Sequence, residues 1–403
     1  LRRNVALYPW YKFFGGLIFW QAVWFLYLQA ELSAAEAILL YAIYDVATTV
    51  LEVPSGWLSD NWGRRRTLMV AAVAGLATAS MQAVGGPFWW FALAQVLLAV
   101  QAAFVSGTDT SLLYESLTAE GREAEVERQE LIGWRAGFAA LALSALLGGA
   151  LARFDLTWSY WASAVAFGAL LAVTLMFREP AKAATDPTGP PRLTLLREAV
   201  HQPVLLWLSS LAVVMYAFSH VPFVFGQPFI ERALAGTGLA DETPLVSGAI
   251  TAAMMTVSLA VSLVAPRLRA AVGLTAMLLG AFALQLALPG ALAIATGPLA
   301  VLLLLSRMVP DALARPFLIA RIQPLLADGT RATYLSLQSL LGRLFFAATL
   351  WVAASSTTDV GQMPEADVRL VMGIYALGGL LILLVLAALS RCLPIDGPPS
   401  SAG

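Results

Sequence analysis

Charged side chains inside otherwise apolar stretches are the groups of this chain best placed to do chemistry, because an ion at bilayer depth is costly unless it pairs or faces water. The first half carries Asp45, Glu52, Asp109 and Arg135 in such stretches, and the second half carries Arg307, Asp311, Arg315 and Arg343. Asp45 and Glu52 are seven residues apart and share a helix face. With Asp109 they are the candidate proton carriers, although Glu52, nearer the cytoplasmic end, also suits pairing with loop arginines. Asp109 and Arg135 flank Gly121 at similar separations, which predicts equal depth across a helix hairpin. They read either as an ion pair fixing register or as a pair sensitive to protons or substrate. Arg307, Asp311 and Arg315 recur every four residues on one helical stripe, with Pro310 and Pro316 as bending points. Arg343 falls at the depth of Arg315. Intramembrane charge is thus three acids to one base in the first half and three bases to one acid in the second. A cleft between the halves would be polarised and suit an anionic or zwitterionic solute; alternatively the two sets pair and latch closed states. Trp24, Tyr44 and Tyr216 are candidate cavity aromatics. His220 beside Ser219 reads as a substrate contact, a pH sensor or a simply hydrogen-bonded residue.

The elements that position these groups follow from composition. Hydrophobic residues make up 59% of the 403 and charged residues 12%, with a mean hydropathy of +0.77, which reads as an integral membrane protein. The expected fold is all-α, with twelve transmembrane helices in two pseudo-symmetric six-helix bundles. The bundles cover residues 1–177 and 204–391, with a linker at 178–203 and a polar tail at 392–403. The first span is placed at 10–29, the second at 34–56, the fourth at 88–117 and the tenth at 298–326. Its Trp and Tyr content makes the first span a membrane helix rather than a cleaved leader. Ser33 followed by Glu36 is a capping box opening the second span. In the seventh, Pro222, Gly226, Gln227 and Pro228 disfavour a straight helix and predict an outer gate. The linker residues Leu193–Val200 form either an amphipathic turn or a loose polar loop. With the N-terminus inside, seventeen basic residues fall in inner segments, Lys12 among them, and three in outer segments. Both termini are therefore expected in the cytoplasm, in a multi-pass inner-membrane protein.

Near-neutral charge, 24 basic against 25 acidic residues, gives no sign of nucleic-acid binding. Cys392 is the single cysteine, and only His201 and His220 are histidines, so disulfides, metal centres and a nucleophile–base enzyme site are not expected. The partners are a small solute and the lipid bilayer, and the chain is expected to act as a monomer without a cofactor. The halves also repeat: SLTAEGREA at 116–124 aligns with PLLADGTRA at 324–332, pairing Gly121 with Gly329 and Arg135 with Arg343.

The stretch LEVPSGWLSDNWGRRRTL, residues 51–68, places Gly56, Asp60, Gly63, Arg64, Arg65 and Arg66 between two apolar runs. This spacing closely resembles the loop between the second and third helices of the major facilitator superfamily of secondary transporters. The resemblance implies that Gly56, Asp60, Gly63, Arg64 and Arg65 form a cytoplasmic latch that stabilises the outward-open state. Departures from the family pattern are Asn61 in place of a basic residue, Gln95 where drug/proton antiporters carry Arg, and Ala145 where their fifth helix has Pro. Ala140, Ser144, Gly148 and Gly149 keep that helix narrow. The function implied is proton-coupled transport of a small amphipathic, anionic or zwitterionic molecule by alternating access, as an exporter, with an uptake permease as the alternative.

Overall fold

The computed structural model describes residues 1–180, 192–225, 243–292, 303–355 and 365–396, together with 294 and 299. Its helices are α1 (Arg2–Gly16), α2 (Trp24–Glu31), α3 (Ala34–Trp62), α4 (Arg64–Val84), α5 (Phe88–Val105), α6 (Thr108–Thr118), α7 (Val126–Ala152) and α8 (Leu156–Met176). They continue as α9 (Arg192–His201), α10 (Pro203–Phe225), α11 (Thr243–Val272), α12 (Leu274–Leu292), α13 (Val309–Ile322), α14 (Arg331–Ser355) and α15 (Glu365–Ser390). Among the described residues, eight helical stretches are long and apolar enough to cross a membrane, so this is an all-α, multi-pass inner-membrane protein. Within the linker, Arg192–His201 form a helix, α9, and residues 181–191 lie outside the described residues. Gly226, Gln227 and Pro228 lie outside the described residues.

Two compact units form, one from Leu1–Leu196, Asp241–Thr256 and Ile319–Leu340, the other from Arg197–Ala240, Val257–Leu318 and Leu341–Gly403. In the first, α3 opens on the expected capping box: Glu36 N–H donates to Ser33 Oγ at 3.3 Å, and Ser33 N–H donates to the Glu36 carboxylate at 3.0 Å. The helix then runs straight through Gly56 and stops only at Gly63, whose φ of +115° is open to glycine. Most of the motif read as a loop is therefore helix. The first span differs too. It starts at Arg2, which brings Lys12 inside α1, and it breaks after Gly16 into a 3-10 turn, Phe19–Ala22, before α2. Close packing explains the break. A Cβ at Gly16 would meet the Gly137 carbonyl at 3.1 Å, and one at Gly148 would overlap the Phe19 carbonyl oxygen at 1.9 Å. The narrow face of α7 thus receives the broken segment, and Ser163 Oγ accepts from Phe19 N–H at 2.9 Å. Around it Trp20 stacks on Tyr160 at 5.3 Å, and Tyr27 lies 4.5 Å from the same ring.

The fourth span also divides, at Gly107 (φ +70°), where a Cβ would come within 2.8 Å of Leu335. In the second unit the tenth span is interrupted. Pro310 has no N–H to offer Ser306, and residues 305–308 form turns before α13. Arg307 therefore precedes the helix that carries Asp311 and Arg315, instead of sharing one straight stripe with them. Phe218 anchors this unit between Phe282 and Tyr375, at 5.6 and 5.9 Å. Gly121 and Gly329, aligned by the internal repeat, both adopt left-handed φ, +68° and +74°.

A second correspondence lies far apart in sequence. In the first unit Glu179 accepts from the first N–H groups of α4, those of Arg64 and Arg65, at 2.6 and 2.9 Å. In the second unit Asp396 accepts from Leu274 and Thr275 N–H, at 2.5 and 3.2 Å, and from Thr275 Oγ1 at 2.8 Å. The carboxylates follow α8 and α15, and each caps a helix that begins at a positive-φ glycine, Gly63 or Gly273. Burial alone raises the Asp396 pKa, but the donors from Thr275 and Leu274, with Arg269 nearby, outweigh it and hold the carboxyl below its usual value. A depressed carboxylate pKa contributes stability above the unfolded value, about 3.9, and loses it as pH falls through the folded one. Asp396→Asn is accordingly expected to lower the melting temperature by a constant margin from pH 8 to about pH 5, and the gap should close below about pH 4. A gap that widened on acidification would contradict the cap.

Candidate functional site

Three groupings gather the sequence-predicted residues. The first joins α3 to the start of α14, within one unit. Asp60, on the last turn of α3, accepts from the backbone N–H groups of Ala332 and Thr333 at 3.3 and 2.9 Å and from the Thr333 hydroxyl in a short bond. It thus caps the N-terminus of a helix more than 270 residues away, where donors are unpaired and the helix dipole favours an anion. One turn back, a Cβ at Gly56 would fall 2.7 Å from the Ala332 carbonyl and 2.6 Å from Ser336 Oγ, so only glycine lets α14 this close. One further turn back, Ser339 Oγ donates to Glu52 at 2.8 Å. Positions 60, 56 and 52 of α3 therefore mesh with 333, 336 and 339 of α14 in an antiparallel zipper.

Arg64 locks its base. Its guanidinium is 4% exposed and donates to Asp60 at 2.6 Å, to Glu115 of α6 at 2.6 Å and to Ser59 Oγ at 3.0 Å. Arg65 donates from its side chain to the Leu175 carbonyl at 2.9 Å. Asp45 sits on the same helix as Glu52, exposed, with its backbone carbonyl accepting from Thr49.

The second grouping is a buried cluster on α1, α6 and α7. Asp109, at the start of α6, forms its ion pair with Lys12 of α1 at 2.8 Å, and Arg135 is not its partner. Counting depth from Gly121 assumed straight helices. The Gly107 break re-aims α6, and the early start of α1 delivers Lys12 to it. Beside the pair, Tyr8 donates from its hydroxyl to the Glu130 carboxylate at 3.2 Å, and Lys12 Nζ lies 5.8 Å from the Tyr8 and Trp134 ring centres. Sequence reading missed Tyr8, Lys12 and Glu130. Tyr8 and Lys12 at i, i+4 were the available signal, obscured by assigning Lys12 to the inner loops.

The third grouping lies in the other unit and unites six candidates. Arg315 Nε donates to Asp311 at 2.8 Å, with Asp311 2% exposed. The guanidinium carbons of Arg315 and Arg343 lie 5.9 and 5.8 Å from the centre of the Tyr216 ring. Gly342 makes room for that ring: a Cβ there would meet it at 2.9 Å. His220 packs against Tyr216 at 4.3 Å and Phe346 at 5.2 Å, and its Nδ1 is 2.7 Å from the Tyr216 carbonyl. A carbonyl only accepts, so Nδ1 carries the hydrogen. Arg307 is electrostatically linked to Asp311. Trp24 and Tyr44 belong to the first unit, where Trp24 stacks on Tyr41 at 5.8 Å and Tyr41 contacts Tyr44 at 6.3 Å. Among the described residues no group of three or more His, Cys, Asp or Glu gathers in a metal-ligand arrangement.

Comparison with known proteins agrees with this architecture. The sequence profile of the Major Facilitator Superfamily matches residues 12–350. A crystal structure of a bacterial homologue of the iron transporter ferroportin, in an outward-facing state, superposes with a TM-score of 0.69 at 17% identity, covering 97% of this chain and 99% of that one. A crystal structure of a bacterial homologue of the iron transporter ferroportin with soaked iron gives 0.67 at 17% identity, covering 96% and 98%. A mutant of the nucleoside transporter NupG gives 0.64 at 14% identity, covering 96% and 98%. At these identities the likeness is one of fold. No curated protein matches the sequence.

Proposed function

The chain belongs to the major facilitator superfamily of secondary transporters and moves a small molecule across the membrane; from that premise we propose that it exports a small amphipathic, anionic or zwitterionic organic molecule in exchange for protons. The observation that carries the substrate class is Tyr216 with Arg315 and Arg343 against its ring. Three arginines and one buried aspartate occur in this part of the chain, and two of the guanidinium groups lie beside an aromatic surface. A carboxylate would take the arginine donors while an apolar body stacks on Tyr216 or His220, the pairing that amphipathic anions require.

The arrangement proposed is two six-helix bundles of the twelve-helix type with both termini cytoplasmic, supported by the excess of basic residues in the inner segments. In that orientation the α3–α14 zipper is a cytoplasmic latch. It holds while Asp60 caps α14, and its release would free the two helices to part, which alternating access requires. Asp45, Glu52 and Asp109 remain the sequence-derived candidates for carrying the coupled proton.

The substrate class is tested by thermal unfolding of the purified protein with matched ligand sets: a carboxylate, its neutral amide and its amine counterpart on the same aromatic or aliphatic body. A ligand that binds only the folded state raises the melting temperature by mass action. Stabilisation by carboxylates and not by amides is the expected outcome. Stabilisation confined to amines would sink the anion reading.

A further inference from the structure

The buried cluster of the first unit has a charge imbalance with a specific consequence. Two carboxylic acids, Asp109 and Glu130, share a pocket with one ammonium, Lys12. Asp109 is 4% exposed, Glu130 is fully buried and Tyr8 is 1% exposed. Val5, Leu113, Tyr114, Leu117 and Val126 wrap Tyr8 in apolar surface. In such surroundings an uncompensated charge is expensive, and the pocket reaches neutrality when one of the two acids binds a proton.

Geometry selects which acid takes it. Asp109 is already engaged by two donors, the Lys12 ammonium at 2.8 Å and the Thr110 N–H at 2.8 Å. Glu130 has a single hydrogen-bond donor among the described residues, the neutral hydroxyl of Tyr8, at 3.2 and 3.4 Å from its two oxygens. The neighbours on every packed element agree. From α1 come Tyr8, Lys12 and Tyr11, and from α6 come Asp109 and Tyr114. Glu125 in the turn before α7 is held by Arg122 at 2.7 Å, and Glu127 and Arg135 of α7 itself are only partly buried. The Lys12 side chain keeps 22% of its surface exposed, so the cluster is closed on the Glu130 side and open on the Lys12 side.

We infer that Glu130, Tyr8, Lys12 and Asp109 form a proton-binding site: Glu130 takes a proton from solvent to become a neutral carboxyl, and Lys12 then pairs with Asp109 alone. When Glu130 releases the proton, Lys12 serves two carboxylates and pulls α1 toward α7 as well as α6. This rests on the proton-coupled reading for its use, but the binding event itself needs no transported solute.

The test is an infrared difference titration of the full-length protein, purified in detergent, because a protonated carboxyl in dry surroundings has a C=O stretch distinct from that of a carboxylate. The wild type is expected to show one such band titrating with acid. Glu130→Gln should lose it, and Glu130→Asp should shift its frequency. Lys12→Gln, which removes the positive charge favouring the anion, should move the midpoint upward by about one pH unit or more. Tyr8→Phe, which removes only a hydroxyl, should also move it upward and covers the case in which Glu130→Gln fails to fold. A band that survives in Glu130→Gln, that disappears in Asp109→Asn instead, or that ignores both Lys12→Gln and Tyr8→Phe overturns the assignment. Absence of gradient-driven transport with the band intact would remove proton coupling and leave the site standing.

Discussion

Replacing Asp60 by alanine is expected to speed amide hydrogen exchange across residues 331–334 by roughly a hundredfold, equivalent to about 3 kcal/mol of lost local stability. Two terms make the effect large. The N–H groups of Ala332 and Thr333 belong to the first turn of α14, where no intrahelical acceptor exists, and Asp60 supplies theirs. Loss of such a cap costs about 1 kcal/mol by itself. Arg64, 4% exposed, then loses one of two carboxylates in a site that water barely reaches. Breaking a buried pair costs about 3–5 kcal/mol, and the surviving Glu115 contact places the total at the lower end of that range. A contrast comes from the same turn. Arg331 pairs with Asp328 at 2.5 Å, but Asp328 is 63% exposed, so Asp328→Ala should change exchange by less than about fivefold. Equal effects from the two substitutions would show that the Asp60 cap is not what holds α14 to α3.

The second large effect is expected at Arg343. Arg343→Gln should weaken carboxylate binding about 10- to 100-fold, the value of about 1.5–3 kcal/mol for a hydrogen bond to a charged group, while the matched amide is unaffected. Isothermal titration with both ligands reads this directly. Arg315 needs a different design, because Arg315→Gln alone strips the buried Asp311 of the guanidinium at 2.8 Å. Pairing Arg315→Gln with Asp311→Asn removes both charges and keeps the hydrogen-bonding shapes, so a loss of affinity in the double variant reports on the ligand rather than on folding. Carboxylate affinity unchanged in both Arg343→Gln and the double variant would remove this cluster as the anion site.

How much of this was legible in the sequence depended on the range of the interaction. The Ser33–Glu36 capping box is local, three residues apart, and the structure contains it as read; of the Arg307–Asp311–Arg315 stripe, the Asp311–Arg315 contact, four residues apart, is present and Arg307 precedes the helix. The motif around Asp60 was recognisable, but its role as the cap of α14 depends on a partner across the fold. Breaks were not legible. Hydropathy sees an apolar run through Gly16 and Gly107, whereas the break is decided by which backbone presses on the glycine, Gly137 in one case and the start of α14 in the other. From those breaks followed the reassignment of Asp109 from Arg135 to Lys12. The Glu179 and Asp396 caps were hidden for the same reason: each lies more than 110 residues from the helix it closes.

Proton-driven export of an organic anion is tested most directly in proteoliposomes holding the carboxylate with the largest thermal shift, with the membrane potential clamped to zero. A weak acid left to itself collects on the alkaline side. Proton exchange predicts the opposite: with the interior made acidic, outward proton flow should draw the anion in, above the level in protein-free vesicles. Accumulation driven only by an acidic exterior, in excess of passive trapping, would mean proton symport and uptake. No protein-dependent accumulation under either gradient would contradict proton coupling altogether.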